Sequence, residues 1–114
     1  MKLPKAARLR RRGEFLQVQQ RGRRLYAGEV LVLALGASGS GPRIGITVSS
    51  KVANAVARNR VKRWVREAFR AVRNDLPAVD LVVIARRGAA GMGIAGARRA
   101  LVAARDALAR EARA

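Results

Sequence analysis

Residues 54–73 repeat one pattern, with an apolar side chain every three or four positions and arginine or lysine at most positions between. At 100° per residue, Ala57, Val61, Trp64, Val65, Ala68, Phe69 and Val72 share one arc of a helix. Arg60, Lys62, Arg63, Arg66, Arg70 and Arg73 take the other side, with Arg58 at the margin and only Glu67 interrupting. Asn54 is placed to cap the helix and Pro77 to follow its end. Such a helix has to bury one face and leave a cationic stripe on the other.

The segments on either side supply what that face can pack on. Residues 29–35 (EVLVLAL) form a near-continuous apolar run, the mark of a strand buried on both faces. Residues 36–42 (GASGSGP) are turn chemistry throughout. In residues 43–49 (RIGITVS), Ile44, Ile46 and Val48 alternate with Gly45, Thr47 and Ser49, so one face packs and the other is small and polar. These two strands read as an antiparallel hairpin. Residues 80–87 (DLVVIARR) give another strand, and residues 23–26 a short edge strand. A short helix is expected over residues 13–20, closed by Gly22. The Gly/Ala-rich residues 88–96 read as a loop and the alanine-dense 97–113 as a helix. The opening residues 1–8 read as an irregular basic terminus. With 114 residues and half of them hydrophobic, the whole chain, 1–114, makes one domain with a modest core.

Charge narrows the function. Twenty-five Lys and Arg against seven Asp and Glu give +18, which favours polyanions, nucleic acid first. A surface built for solubility mixes signs. Here Lys62/Arg66 and Arg66/Arg70 set like charges at i,i+4, each costing roughly 0.2–0.5 kcal/mol in an isolated helix. Without Cys or His, disulfides, thiolate or imidazole metal sites and His-based catalysis drop out. The acids Glu14, Glu29, Glu67, Asp75, Asp80, Asp106 and Glu111 are scattered, so the side chains offer no metal-dependent nuclease site. No apolar run is long enough for a membrane span. The N-terminus lacks the apolar stretch of a secretory signal, and a soluble intracellular protein is the default expectation.

The string Ser49-Ser-Lys-Val-Ala-Asn-Ala-Val-Ala-Arg-Asn-Arg-Val-Lys-Arg63 is specific. It resembles the signature of the bacterial ribonuclease P protein family, a Lys-[Val/Ile]-Gly-Asn-Ala-Val stretch running into Arg-Asn-Arg and Lys-Arg. Leu9-Arg10 with Glu14-Phe15, the Gly45-containing strand and the strand from Asp80 extend the likeness over roughly residues 8–110. The resemblance implies a two-layer α/β (α+β) sandwich of ribosomal-protein-like kind. Its order is helix, three strands, long helix, strand, helix, with a left-handed β-α-β crossover that general handedness rules would not anticipate.

It also implies a non-catalytic subunit of a ribonucleoprotein endoribonuclease that removes the 5′ leader of precursor tRNA. The catalyst there is an RNA subunit, which holds most of the Mg²⁺. Arg58, Asn59, Arg60, Lys62, Arg63, Arg66 and Lys51 are then expected on the catalytic RNA. Phe15, Arg10, Arg12, Thr47 and Ser49 are expected around a cleft for the precursor-tRNA leader. The implied setting is cytoplasmic, with no membrane and no required protein partner. The chain departs from the family at Gln19 and Leu33, where relatives often carry aromatics. The rival readings are a ribosomal-type RNA-binding protein or RNA chaperone, an architectural DNA-binding protein, and a self-sufficient nuclease.

Overall fold

Where the apolar period is 3.6, the chain is helical, as the computed structural model shows; it describes residues 3–37, 39 and 41–113. The elements are α1 (Arg12–Arg21), β1 (Arg23–Ala27), β2 (Val30–Gly36), β3 (Arg43–Thr47), α2 (Ala55–Val72), β4 (Val79–Ala85) and α3 (Gly93–Arg113). The order is the expected α-β-β-β-α-β-α.

The expected β2–β3 hairpin does not form. The sheet order is β1-β2-β4-β3, with β1, β2 and β4 successively antiparallel and β3 parallel to β4. β4 inserts between the two because nearly every one of its residues is buried, and only a central place gives it a neighbour on both sides. The small face of β3 tolerates an edge. β1 and β2 form the true hairpin, turning through Gly28 and Glu29, where Gly28 takes a φ of +58° that favours glycine.

The strand alternation sends residues to two cores. Val30, Val32, Ala34, Leu81 and Val83 meet Val61, Val65, Ala68, Phe69 and Val72 of α2 and Ala97, Ala100, Leu101 and Ala104 of α3. The alanines of α3 let the two helices approach closely on this face. On the opposite face Leu33 and Val82 meet Val18 and Phe15 of α1. α1 is short, so much of that face stays open.

Two further expectations are corrected. The residues read as an irregular terminus instead contain a 3-10 turn at Lys5–Ala7, and Leu3, Ala7 and Leu9 are buried. Arg8 bridges to Ile44, and the Leu9 N–H donates to the Ile44 carbonyl at 2.9 Å. The segment thus covers the free edge of β3, which an exposed edge strand requires. The expected loop over 88–96 is mostly structured, with a 3-10 turn at Ala89–Gly91 and α3 starting at Gly93. Packing on α2 outweighs the weak helix propensity of its glycines.

Candidate nucleic-acid interface

The β3–α2 turn sets the cationic stripe. The Asn54 carboxamide Oδ1 accepts from the Ala57 N–H at 2.9 Å, fixing where the helix starts and hence the angle of every residue after it. Val61 and Val65 then point into the core, while Asn59, Arg60, Arg63 and Arg66 are exposed and Lys62 is half-buried. Trp64 is half-buried against the core, as its place at the border of the apolar arc suggests. Among the described residues Arg60, Lys62, Arg63 and Arg66 make no ion pair. Five of the seven acids are engaged elsewhere: Glu14 and Asp80 with Arg43, Glu111 with Arg23, and Asp75 and Asp106 with Arg105. With Glu67 as the one acid on the helix, the stripe's field faces solvent largely uncancelled.

Arg58 is half-buried and differs from its neighbours. Its Nη1 donates to the Ala53 carbonyl at 3.0 Å, so part of the guanidinium braces the turn. Lys51 is exposed in that turn, and its backbone N–H donates to the Ser49 hydroxyl oxygen at 3.1 Å. Ser49 thus shapes the turn beyond β3.

On the open sheet face, Phe15 of α1 lies directly over Gly45. A Cβ built on Gly45 would stand 2.5 Å from the ring's Cε1 and Cζ, so the absence of a side chain is what admits the ring. Thr47 is half-buried and follows on the same face. Leu33 is buried beneath α1. Arg10 is exposed and lines a neighbouring cavity of about 210 Å³ with Lys5, Arg8, Arg11, Glu14 and Arg43. Arg12 is exposed on the first turn of α1 and lines none of the cavities described here.

The two groups of site residues meet at the β3 edge. A cavity of about 120 Å³ is lined by Leu9, Phe15, Gly45 and Ile46 from the sheet side and by Lys62 and Arg66 from α2. Arg8 lies between them. Its buried Nε–H has no hydrogen-bond partner among the described residues, a cost that an incoming acceptor would relieve. Sequence reasoning counted Arg8 as bulk charge; only its pairing with Ile44 turns it toward the cavity.

Sequence reasoning also missed an ion cluster that holds this corner. Arg43 forks onto the Asp80 carboxylate, Nε to Oδ1 at 2.9 Å and Nη2 to Oδ2 at 2.8 Å. Its Nη1 reaches Glu14 Oε2 at 2.7 Å. The other Glu14 oxygen accepts from the Arg11 N–H at 3.0 Å and the Arg10 N–H at 3.2 Å, capping α1. The Arg11 N–H is the strongest influence holding the Glu14 carboxyl down at about 2. The Arg10 N–H and the Arg43 guanidinium add to it, against a desolvation that pushes upward. Arg43 is raised, chiefly by its hydrogen bonds to Asp80. No signal in the linear sequence joins positions 14, 43 and 80.

Among the described residues no three acidic side chains converge as metal ligands would. Nor is any helix among them long and apolar enough to cross a membrane. The arrangement suits a binding surface: exposed guanidinium groups for forked phosphate contacts, and an aromatic beside an open sheet for unpaired bases.

The sequence model of the ribonuclease P family matches residues 3–109. The chain is 49% identical over 90 residues to the ribonuclease P protein component of Gluconacetobacter diazotrophicus, covering 76% of this chain and 78% of that one. It is 47% identical over 85 residues to the one from Chlamydia trachomatis, covering 74% and 71%. Its fold is similar to the RNase P protein of Staphylococcus aureus, with a TM-score of 0.78 at 29% identity over 95% of this chain and 96% of that one. For the protein from Thermotoga maritima the TM-score is 0.75 at 33% identity, covering 90% and 96%.

Proposed function

The chain belongs to the ribonuclease P protein family, and from that premise we propose how its two surfaces divide the work of removing the 5′ leader from precursor tRNA. The α2 stripe, through Asn59, Arg60, Lys62, Arg63 and Arg66, docks on the catalytic RNA, with Lys51 and the outer part of Arg58 at its margin. The open sheet face takes the leader: Phe15 beside Gly45, Thr47 along the floor, Ser49 at its end in the turn beyond β3, and Arg10 and Arg12 on the rim. The chain contributes binding and orientation, and the chemistry belongs to the RNA. Mg²⁺ is held mainly by the RNA subunit, as the family resemblance implies. The setting is the cytoplasm.

One observation carries this reading. The cavity at the β3 edge is lined at once by Phe15 and Gly45 of the cleft and by Lys62 and Arg66 of the stripe. A strand leaving the cleft therefore meets uncancelled cations without crossing an acidic surface. Phosphates of catalytic RNA and leader held against one continuous edge would fix their mutual orientation, which is where a non-catalytic subunit can accelerate a reaction.

Reconstitution tests it. Catalytic RNA of a bacterial ribonuclease P and a precursor tRNA are combined at low Mg²⁺, with and without the chain. Faster leader removal with the chain supports the proposal. RNA binding without stimulation would point to a ribosomal-type binding protein, and cleavage by the chain alone to a nuclease.

A further inference from the structure

Tyr26 is an aromatic left largely in the open, 66% exposed, in a chain with only four aromatic residues. Its direction follows from register. Arg24 pairs with Leu33 and Tyr26 with Leu31; Leu33 then pairs with Val82 and Leu31 with Ile84, while Gly45 and Thr47 complete the two rows on β3. Residues opposite one another across a ladder point the same way. Leu33 and Val82 lie under α1, so Tyr26 stands on the same open face as Phe15 and Thr47. The row Tyr26–Leu31–Ile84–Thr47 crosses the whole sheet, and none of its members is fully buried. At roughly 4.8 Å per strand, Tyr26 lies about 14 Å across the sheet from Thr47.

The ring is held and charged on one face. The Arg86 guanidinium carbon sits 5.5 Å from its centroid, a cation–π contact. Arg86 is itself anchored, its backbone N–H donating to the Glu29 carbonyl at 2.9 Å. Arg24, exposed, projects on the same face one row away. The arrangement is thus an aromatic face flanked by two arginines on an open β-sheet, the combination that binds an unpaired base and its phosphates. A partner protein would gain from an apolar surround, whereas Arg86 over the ring and Arg24 one row away are exposed and cationic.

We propose that Tyr26, with Arg86 over its ring and Arg24 beside it, is a stacking position for one base of single-stranded RNA, extending the cleft from Phe15 to the β1 edge of the sheet. Its assignment to the leader rests on the function proposed above; the stacking site itself does not. It offers an aromatic where Gln19 and Leu33 offer none.

The test compares the assembled holoenzyme's affinity for precursor tRNAs bearing a ten-nucleotide or a two-nucleotide leader. Stacking is worth about 1–3 kcal/mol per base, which corresponds to about five-fold or more in affinity. Tyr26→Ala is expected to weaken the long-leader precursor by at least about five-fold and leave the short-leader one unchanged, since two nucleotides cannot reach β1. Tyr26→Phe should retain wild-type affinity. An unchanged long-leader affinity, or an equal loss on both substrates, overturns the proposal. In parallel, a single-stranded RNA decamer is titrated against the chain alone. If wild-type holoenzyme shows no preference for long leaders, the leader-binding reading fails. The decamer then decides on the site: a five-fold loss with Tyr26→Ala upholds it, and no loss overturns it.

Discussion

Replacing Arg43 with Gln removes one guanidinium that ties β3, β4 and α1 together. It strips Asp80, only 8% exposed, of both its forked hydrogen bonds, and Glu14 of its one charged partner. Orphaning one member of a buried ion pair costs about 3–5 kcal/mol. The Arg43 side chain is 33% exposed, so water recovers part of that, and about 2–3 kcal/mol is expected. In a domain of this length that is a sizeable share of a total stability of roughly 6–15 kcal/mol. It should lower the melting temperature by about 10 °C or more. Thermal denaturation followed by circular dichroism at pH 7, with sulfate present to screen the +18 charge, reads it directly. Arg43→Lys should fall between, because a point charge cannot fork. A Gln variant melting within 2 °C of wild type would refute the role given to this cluster.

The same cluster sets an acid limb. The Glu14 carboxyl is held at about 2 against an ordinary 4.5. A carboxyl depressed in the folded state contributes stability that is fully present above its unfolded value, so the loss begins as pH falls through about 4.5 and is complete below about 2. The Glu14 side chain is 28% exposed, which limits the expected contribution to about 1–2 kcal/mol. Stability measured from pH 6 to pH 2 should fall over that window, and less steeply in Arg43→Gln; a flat profile would contradict the assignment.

Gly45→Ala puts a methyl group against the tip of Phe15, and a loss of about 1–3 kcal/mol is expected by denaturant titration. The double variant Gly45→Ala with Phe15→Leu should recover part of it, whereas an unaffected single variant would mean that the ring does not rest there. Asn54→Ala should cost about 1 kcal/mol by the same measurement, and Asn54→Asp much less. Arg60→Ala with Arg63→Ala should leave the fold intact, weaken binding to the catalytic RNA and reduce the log–log salt slope by about 2. Equal slopes for the variant and the wild type would remove that surface from the interface.

How much of this the sequence discloses depends on whether the cause is local. The α2 stripe was legible because helical period and an Asn54 cap fix every side chain's angle within one segment. The strands of the sheet were legible for the same reason, their apolar runs being visible one at a time. Their order was not, since adjacency in sequence favours a hairpin from β2 to β3, and only the completeness of β4's burial forces it into the centre. Phe15 and Thr47 follow from residue type and resemblance, and the fold sets both on one sheet face; Ser49, expected with them, falls in the turn beyond β3, and the role of Gly45 under the Phe15 ring shows only in the structure. Arg8, the Arg43 cluster and the Tyr26–Arg86 pair escaped because each depends on contacts between distant positions. Tyr26 in particular can be assigned to a face only once the register of β1 on β2 is known.

The most direct test of the central claim, that one chain holds both the catalytic RNA and the leader, is a comparison of affinities for precursor and mature tRNA. The two differ only by the leader. Catalytic RNA alone should bind them nearly equally, and adding the chain should tighten the precursor while leaving the mature tRNA unchanged. An equal gain for both, or no gain for either, would contradict the account.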